Sequence, residues 1–496
     1  MGPDMSDLEH AAPDRNVGSG PFDRLVLRRA TIIDGTGAPP YGPADVVIEG
    51  SRIAEIWVHP PLGGPKLQPP TAPEVGPRGT EIDLDGEYLL PGLIDAHGHI
   101  GWADHVPGAQ YVYDLWLAHG ITTIREPGCF INGLEFTAGE AARSDADDIA
   151  APRILPYAGF GLGRQSPFET ADDAVRWVGE AAEAGARGLK LWGYRPDILK
   201  ATIAEATRLG LGTMCHHQQL YVAGANALDS ARWGLGSIEH WYGIPEAMLT
   251  GSRLQAFPGS YNYQQERTRF AEAGRLWQQA APPGSARWDA TVDSFLDTGV
   301  SLDPTFGVYV GLRDASRVMR QPWHEEFTAD MLWNYWQPHS GGHGSFFDDW
   351  GTEEEVAWRL NLRLWMDFVK DFHARGGRVT VGTDPGSIFT LFGFAYPQEL
   401  ELLREAGLSA LEVLTAATLD GANLLGIGAE TGSVEAGKRA DLVVVPRNPL
   451  ANLKNLYAAT SGANGGPRLT IKNGIVYQTR VLLDRVRETV DSTRER

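Results

Sequence analysis

Short apolar runs separated by turn residues make up both ends of the chain. Between residues 22 and 87 the turn pairs Asp34-Gly35 and Glu49-Gly50 break up such runs, a pattern that predicts short β-strands. The four predicted strands are 25–27, 30–33, 45–48 and 53–56. The same character returns over residues 432–445 and in a predicted hairpin over 469–477. We therefore expect residues 22–88 and 426–482 to form one small β-sandwich domain.

The middle of the chain alternates apolar runs with segments of helical periodicity. An apolar run ending at His97 is the first of eight such runs. The others are 120–125, 153–157, 188–192, 211–216, 236–240, 300–305 and 378–384. Strands that alternate with helices form parallel sheets, and eight such units predict an α/β fold with a (β/α)₈ TIM barrel over residues 89–425.

The spacing of strands loosens in an aromatic-rich insertion around residues 243–376. Its tryptophans are Trp277, Trp288, Trp323, Trp333, Trp336 and Trp350. They either shape an apolar substrate pocket at the carboxyl end of the barrel or only anchor extra helices. A helix over about 353–374 carries one apolar stripe, which predicts core packing. The stripe consists of Val356, Leu360, Leu364, Phe368 and Phe372.

Composition and charge narrow the classes of function. The formal net charge of −20 argues against nucleic acid and anionic membrane partners, which need basic patches. The chain lacks an apolar run of the roughly 20 residues that span a bilayer, and its polar first residues lack a signal-peptide pattern. With two cysteines, Cys129 and Cys215, a disulfide framework is excluded and the cytoplasm is the expected location. We expect a disordered tail over residues 1–21 and a polar tail over 483–496.

Candidate metal ligands lie at the ends of the predicted barrel strands. His97 and His99 end the first strand and project from the same face, because side chains alternate along a strand. The later candidates are Lys190, His216, His240 and Asp384, at the ends of the fourth, fifth, sixth and eighth strands. Imidazole nitrogens and a carboxylate suit Zn²⁺ or a similar divalent ion. Lys190 becomes a ligand only if CO₂ carboxylates it to a carbamate.

These motifs resemble the metal-dependent amidohydrolase superfamily, in its prolidase-like, imidazolonepropionase-related branch. The resemblance runs from the segment 32–37 through His97 and His99 to the segments 237–240, 382–384 and 432–442. It implies two zinc ions in a binuclear metal centre. The implied ligands are His97, His99 and Asp384 for the first ion, His216 and His240 for the second, and carboxylated Lys190 as the bridge.

Structural roles compete with these assignments. His217 competes with its neighbour His216, since only one of them faces the barrel mouth. Lys190 could instead form a strand-end salt bridge, and we expect a structural role for Asp303. The remaining histidines are expected to be solvated or packed: His105, His119, His324, His339, His343 and His373. His339 and His343 flank a Gly-Gly loop from which they could reach substrate.

The resemblance implies a hydrolase that cleaves a C–N bond by attack of a metal-bridging hydroxide. Asp384 and His240 are the expected catalytic residues, with Asp384 moving the proton. We expect a small, partly apolar substrate such as an N-acyl amino acid, a dipeptide or an aryl amide or carbamate. The candidates for binding it are Tyr221, Arg125, Arg164 and Arg195. We also expect a homo-oligomer.

Two alternatives remain open from the sequence. One is a mononuclear deaminase or cyclic-amide hydrolase of the same superfamily, which would not need Lys190 as a ligand. The other is a catalytically silent scaffold, which the retained ligand set disfavours.

Overall fold

A computed structural model describes residues 10–59, 72–129, 132–338, 347–348, 350–458 and 465–494. Its strands are β1 (Leu25–Ile32), β2 (Tyr41–Glu49), β3 (Arg52–Val58), β4 (Thr80–Asp83), β5 (Tyr88–Pro91), β6 (Leu93–Asp95), β7 (Ile121–Gly128), β8 (Arg153–Gly159), β9 (Gly188–Leu191), β10 (Gly212–Cys215), β11 (Ser237–Glu239), β12 (Ser301–Asp303), β13 (Leu442–Val445), β14 (Leu469–Lys472) and β15 (Ile475–Gln478).

Its α-helices are α1 (Ala109–Ala118), α2 (Gly133–Asp145), α3 (Ala171–Glu183), α4 (Pro196–Arg208), α5 (Ala227–Arg232), α6 (Glu266–Ala273), α7 (Ala286–Leu296), α8 (Phe306–Arg313), α9 (Ala315–Met319), α10 (His324–Phe327), α11 (Asp330–Trp336), α12 (Thr352–Ala374), α13 (Ala395–Ala406), α14 (Ala410–Thr415), α15 (Gly421–Leu424) and α16 (Thr479–Arg494). Short 3₁₀ helices cover Pro245–Met248, Trp277–Gln279 and Leu453–Leu456, and a π-helical turn covers Ala416–Asp420.

A curled parallel sheet forms the centre of the fold. Its seven strands run in the order β12-β11-β10-β9-β8-β7-β6, so strands that are consecutive in the chain are neighbours. The eighth predicted run, residues 378–384, hydrogen-bonds to both edge strands. On one side Leu302 donates to the Arg378 carbonyl at 2.9 Å, and on the other Ala96 donates to the Val381 carbonyl at 2.8 Å. The predicted mixed α/β class is confirmed.

The strands from the two chain ends share a second sheet. Its order is β15-β14-β13-β5-β1-β2-β3, with β4 paired to β1. β14 and β15 form the predicted hairpin, whose turn residues Asn473 and Gly474 have φ of 52° and 77°. Positive φ at both central residues is the geometry of the tight turn that matches strand twist. Apolar side chains of this sheet, among them Leu27, Val46 and Leu442, form a core of their own.

Some local predictions need correction. The two strands predicted at 25–27 and 30–33 are one strand, β1, interrupted by a register shift after Leu27 where Arg29 has φ of 58°. The helix predicted over 353–374 is present as α12, but Val356 and Leu360 of its stripe are 45% and 51% exposed. Its buried face is shifted, since the insertion packs on the side that carries Trp358, Leu362, Trp365, Val369 and the predicted Phe368 and Phe372.

The terminal segments are more ordered than predicted. Residues 483–494, expected in a polar tail, belong to α16, which buries Leu483, Val486 and Val490 beside α1. Residues 10–21 lie within the predicted disordered tail, but there Ala12 is buried and Ser19 pairs with Val476 through two backbone hydrogen bonds. The segment is rich in charged residues, which favours a polar tail, but its apolar residues recur at helical spacing, and this periodicity indicates α16. Among the described residues, no helix has both the length and the apolar character required to cross a bilayer.

Candidate metal centre

Six predicted ligands converge at the carboxyl ends of the parallel strands. His97 and His99 follow β6, Lys190 lies in β9, and His216 and His240 follow β10 and β11. Asp384 ends the run 378–384. All six line one cavity of about 380 Å³. This is the edge at which barrel enzymes assemble their active sites, because all parallel strands end there.

The Asp384 carboxylate lies among three imidazoles. Its Oδ1 is 3.2 Å from His99 Nε2 and 3.6 Å from His97 Nε2, and its Oδ2 is 3.8 Å from His240 Nε2. The potential ligand atoms of His97, His99 and Asp384 all lie within 4.8 Å of one another. This spacing is compatible with ligands about 2 Å from a common ion.

Lys190 and His216 extend the group beyond those three residues. Lys190 Nζ is 3.3 Å from His97 Nε2. The ring centroids of His216 and His240 are 4.7 Å apart, and those of His97 and His240 are 5.1 Å apart. His217, the competitor of His216, places its Nε2 3.0 Å from Ser230 Oγ and does not line the cavity.

Oxygen atoms behind the imidazoles fix the direction of their Nε2 atoms. His97 Nδ1 is 2.8 Å from Glu239 Oε2, and His99 Nδ1 is 3.3 Å from Glu126 Oε1. His240 Nδ1 is 2.6 Å from Thr305 Oγ1. Such partners behind metal-ligating histidines select the tautomer whose Nε2 lone pair faces the ion. The Nε2 atoms of the three rings therefore point into the space beside the Asp384 carboxylate, where an ion could bind all of them.

The charge states of the group suit a cation. Burial lowers the pKa of His97 to about 4 and the pKa of His240 well below its usual range, so both are neutral at pH 7. Burial opposes ionisation of Asp384, but His97 and His99 hold the pKa of that carboxyl well below its usual range. Burial also lowers the pKa of His99, yet Asp384 and Glu126 outweigh it and raise this pKa to about 9. His99 is therefore protonated at pH 7 when no ion is bound, and a cation that binds to its Nε2 would displace that proton.

A second group of potential ligands joins His97 to two buried carboxyl groups, Glu239 and Asp303, which lie beside the Arg125 guanidinium. The Arg125 Nη2 is 3.0 Å from Glu239 Oε1 and 3.1 Å from Asp303 Oδ2, and all three side chains are completely buried. Burial opposes ionisation of both carboxyl groups. The Arg125 guanidinium nevertheless holds the pKa of Glu239 below its usual range, whereas burial and the neighbouring Glu239 charge raise the pKa of Asp303 well above its usual range. This network supports the cavity floor. The structure gives Asp303 the structural environment expected of it.

Strained backbone surrounds the cavity. His240, Thr305 and Asp384 have φ of 61°, 51° and 46°, in the left-handed region that non-glycine residues rarely adopt. Such conformations cost of order 1–3 kcal/mol each and persist where the surrounding structure imposes them. Their concentration at these strand ends favours a functional site there.

The predicted substrate-binding residues do not line this cavity in the described part of the chain. Arg125 is wholly buried under it, because its position on β7 faces Glu239 and Asp303 inside the curled sheet. Arg164 stacks on Phe168 at 4.4 Å, and Arg195 is 2.7 Å from Asp197 at the surface. Tyr221 is 36% exposed and stacks on Tyr194. These placements correct the expectation for the three arginines.

Sequence reasoning missed the residues that form the cavity walls. Among them are Trp102, His105, Tyr242, Tyr263, Arg269 and Tyr309. Two had a usable signal, since Trp102 and Tyr242 follow His99 and His240 by three and two residues. His105 was expected to be solvated or packed, and its Nε2 lies 2.8 Å from the Gly386 carbonyl oxygen.

The insertion contributes tyrosines rather than tryptophans to the cavity, within the described residues. Trp277 and Trp288 pack against Phe368 of α12, and Trp336 is completely buried. The interpretation that the tryptophans anchor extra helices therefore fits better. Of the other histidines, His119, His324 and His373 lie near Leu115, Thr328 and Glu412, while His339 and His343 lie outside the described residues.

Comparisons with known proteins agree on one family. A model of the amidohydrolase family matches residues 363–476. A 5-methylthioadenosine/S-adenosylhomocysteine deaminase from Symbiobacterium thermophilum is 23% identical over 92% of this chain and 94% of its own length. An adenine deaminase from Methanoculleus marisnigri is 38% identical over 116 residues, and this match spans only 22% of either chain.

Solved structures show the fold over nearly the whole length. A Xaa-Pro dipeptidase with bound methionine in its active site has a TM-score of 0.60 and 18% identity, covering 92% of this chain and 100% of its own. The bottromycin amidohydrolase has a TM-score of 0.62 and 21% identity, covering 94% of this chain and 90% of its own. These likenesses show a shared fold.

Proposed function

The chain belongs to the amidohydrolase superfamily, and from that premise we propose that it is a binuclear metal-dependent hydrolase that cleaves an amide or peptide-like C–N bond. The family match and the deaminase and dipeptidase relatives support a hydrolase acting on C–N bonds. The observation that carries the two-metal proposal is the meeting of four histidines, Asp384 and Lys190 in one cavity.

The proposal includes the architecture that holds this group. Residues 378–384 act as the eighth strand that closes a (β/α)₈ barrel over residues 89–425, as the hydrogen bonds to Leu302 and Ala96 support. Residues 22–88 and 426–482 form the accompanying β domain, since strands of both segments share one sheet.

The donor set fits two divalent cations, with zinc as the proposed metal. His97, His99 and Asp384 would hold one ion, His216 and His240 the other, and Lys190 would bridge them. For that role the neutral Nζ amine adds to CO₂, forming an N–C bond and releasing a proton, and the product is a carbamate anion. Burial lowers the pKa of Lys190 from its ordinary value, a shift in the direction that this reaction needs.

The residues of the chain then have distinct tasks in hydrolysis. When bound, the two ions would lower the pKa of a water toward neutrality and polarise the substrate carbonyl. Asp384 accepts the proton of the attacking water and delivers it to the departing nitrogen. His240 faces Asp384 Oδ2 and, held by Thr305, fixes the direction of that carboxylate.

The cavity size and lining define the proposed substrate. About 380 Å³ with aromatic walls fits a small, partly apolar molecule, such as an N-acyl amino acid, a dipeptide, or an aryl amide or carbamate. A mononuclear deaminase is the second candidate. It is favoured by the whole-length deaminase relative and by the compact group of His97, His99 and Asp384, which does not need Lys190.

Counting metals per chain separates the two candidates. Elemental analysis of the purified protein is expected to give about two ions per chain, and about one after His216→Asn. His217→Asn is the matched control, because this neighbouring imidazole contacts Ser230 instead of the cavity. One ion per chain in the unaltered protein would support the deaminase.

Activity is measured on a panel of N-acyl amino acids and dipeptides, with and without a chelator. We expect hydrolysis that the chelator abolishes and added Zn²⁺ restores. A fully metallated protein that hydrolyses none of these compounds and no aryl amide, carbamate or cyclic amide, and that deaminates no purine, would support the silent scaffold.

A further inference from the structure

We propose that Arg269 forms a carboxylate subsite in the metal-centre cavity and selects substrates whose departing amine carries a carboxylate, such as N-acyl amino acids. This inference deepens the function proposed above and rests on it. It concerns a residue of the insertion that neither the predicted ligand set nor the predicted substrate-binding set includes.

The position of Arg269 suits an anion receptor. It lies on α6, lines the cavity and is 16% exposed at its side chain. Its guanidinium lies over the rings of Tyr263 at 4.8 Å and Phe270 at 4.9 Å. An arginine held between two rings loses little further freedom when it binds a carboxylate through two parallel N–H donors.

Tyr242 and Tyr309 connect this arginine to the metal centre. The Tyr309 ring centroid is 5.6 Å from that of His240, and the Tyr242 ring centroid is 5.4 Å from that of His216. Burial raises the pKa of both tyrosines, while the nearby Arg269 charge acts in the opposite direction on each. A molecule in contact with Arg269 and the two phenols therefore also reaches the imidazoles of the metal centre.

Charge in the cavity points to the same subsite. Among the lining residues that the structure describes, Lys190 and Arg269 are the basic side chains other than histidine. Lys190 belongs to the proposed metal-ligand group. Of these two basic residues, Arg269 is therefore the one that can bind a substrate carboxylate. Glu266 Oε1 is 2.7 Å from Arg269 Nη2. A guanidinium has five N–H donors, which leaves others for a ligand.

This arrangement discriminates between the candidate substrates. A C–N substrate with its carbonyl at the metal centre and a carboxylate at Arg269 is an N-acyl amino acid or a dipeptide. A neutral aryl amide offers the guanidinium no charged partner in addition to Glu266.

Binding of ligands that contain no C–N bond tests the subsite independently of turnover. We would titrate the metal-loaded protein calorimetrically with 3-phenylpropanoate and with its neutral analogue 3-phenylpropan-1-ol. Arg269→Met is expected to weaken binding of the carboxylate roughly tenfold to a hundredfold, the range for a charged hydrogen-bonded pair, and to change binding of the alcohol little. Arg267→Met on the same helix is the matched control, since that side chain does not line the cavity.

The outcomes separate this inference from the proposed function. If Arg269→Met and Arg267→Met bind 3-phenylpropanoate with equal affinity, the proposed subsite is wrong. The metal ions or other cavity residues would then bind the carboxylate. A preserved, Arg269-dependent preference in a protein that hydrolyses no N-acyl amino acid, dipeptide, aryl amide or carbamate would refute the proposed function alone. Where hydrolysis is observed, Arg269→Met should raise KM for N-benzoylglycine and leave KM for N-benzoylglycinamide nearly unchanged.

Discussion

At the scale of single residues, Asp384 has the most demanding position in the molecule. Its carboxylate oxygens lie within 3.8 Å of three imidazoles, on a backbone with φ of 46°. Both features serve the proposed reaction, because the carboxylate must stay ionised to accept a proton and must be held in place to deliver it.

Asp384→Asn should lower kcat by about 10²–10⁴-fold, the usual contribution of a positioned proton-transfer group. An amide cannot accept the proton, although its shape is nearly the same. Steady-state kinetics measure the effect, and elemental analysis shows whether metal is retained. Asp104→Asn, an exposed carboxylate outside the cavity, is the matched control. Normal turnover of Asp384→Asn would remove Asp384 from the proton-transfer role.

Glu399 makes stability depend on pH. Its buried carboxylate accepts the N–H groups of Phe306 and Gly307 at the start of α8, and burial raises its pKa to about 8. The folded protein therefore binds a proton that the unfolded chain has lost above its ordinary pKa of 4.5. The contribution of this proton to the free energy of unfolding is complete below pH 4.5 and disappears as the pH rises toward 8.

Denaturant unfolding between pH 5 and 8 measures this dependence. The free energy of unfolding should fall with rising pH, at up to about 1.4 kcal/mol per pH unit from this group. In Glu399→Gln, which cannot titrate, the slope should be smaller by that amount. An unchanged slope would show that Glu399 is ionised in the folded protein.

At the scale of elements, the loop that carries Asp384 depends on the insertion. Asp384, Gly386, Ile388 and Phe389 all have positive φ. The Gly386 carbonyl accepts the Trp336 indole N–H at 2.9 Å and lies 2.8 Å from His105 Nε2. Helix α11 therefore helps to hold the proposed proton-transfer residue.

Trp336→Phe removes this indole donor and keeps an aromatic ring. Losing one buried hydrogen bond costs about 1 kcal/mol, so we expect kcat to fall about fivefold while KM changes little. Trp333→Phe is the control on the same helix, since the Trp333 ring packs on Trp336 and Phe389. Equal losses of kcat in both variants would indicate a general packing effect.

The strand ends could be predicted from the sequence, whereas most of the cavity walls could not. Parallel strands bring their carboxyl ends together, so the positions of His97, Lys190 and His240 followed from the alternation alone. Arg125 ended a predicted strand, but it lies inside β7. Its acidic partners come from β11 and β12, and the sequence of one strand gives no sign of them. Arg269 lies on a short helix of the insertion, where periodicity does not tell which face meets the barrel.

At the scale of the whole molecule, the ligand group ties distant parts of the chain together. The proposed ligands span residues 97 to 384 and come from β6, β9, the ends of β10 and β11, and the run beside β12. Ions bound only by the folded state would stabilise the entire barrel.

Removal of metal should therefore lower the melting temperature. At a free metal concentration of 100 to 1,000 times Kd, each site contributes roughly 2.7–4.1 kcal/mol. Thermal unfolding with and without a chelator should show a decrease of several degrees, reversed by added Zn²⁺. His97→Asn should lose about half of the chelator response, because the ion held by His216 and His240 would remain, and a response as large as in the unaltered protein would contradict the ligand role of His97.

The sheet shared by both chain ends has a consequence for biosynthesis. β5 pairs with β1 on one side and with β13 on the other, and it runs directly into the strand before His97. While a ribosome is still translating the region before Leu442, one edge of β5 is therefore open to other chains. Nascent polypeptides are exposed to misassembly at such an edge, and the sheet of the hydrolase cannot be completed until Leu442–Val445 has been synthesised.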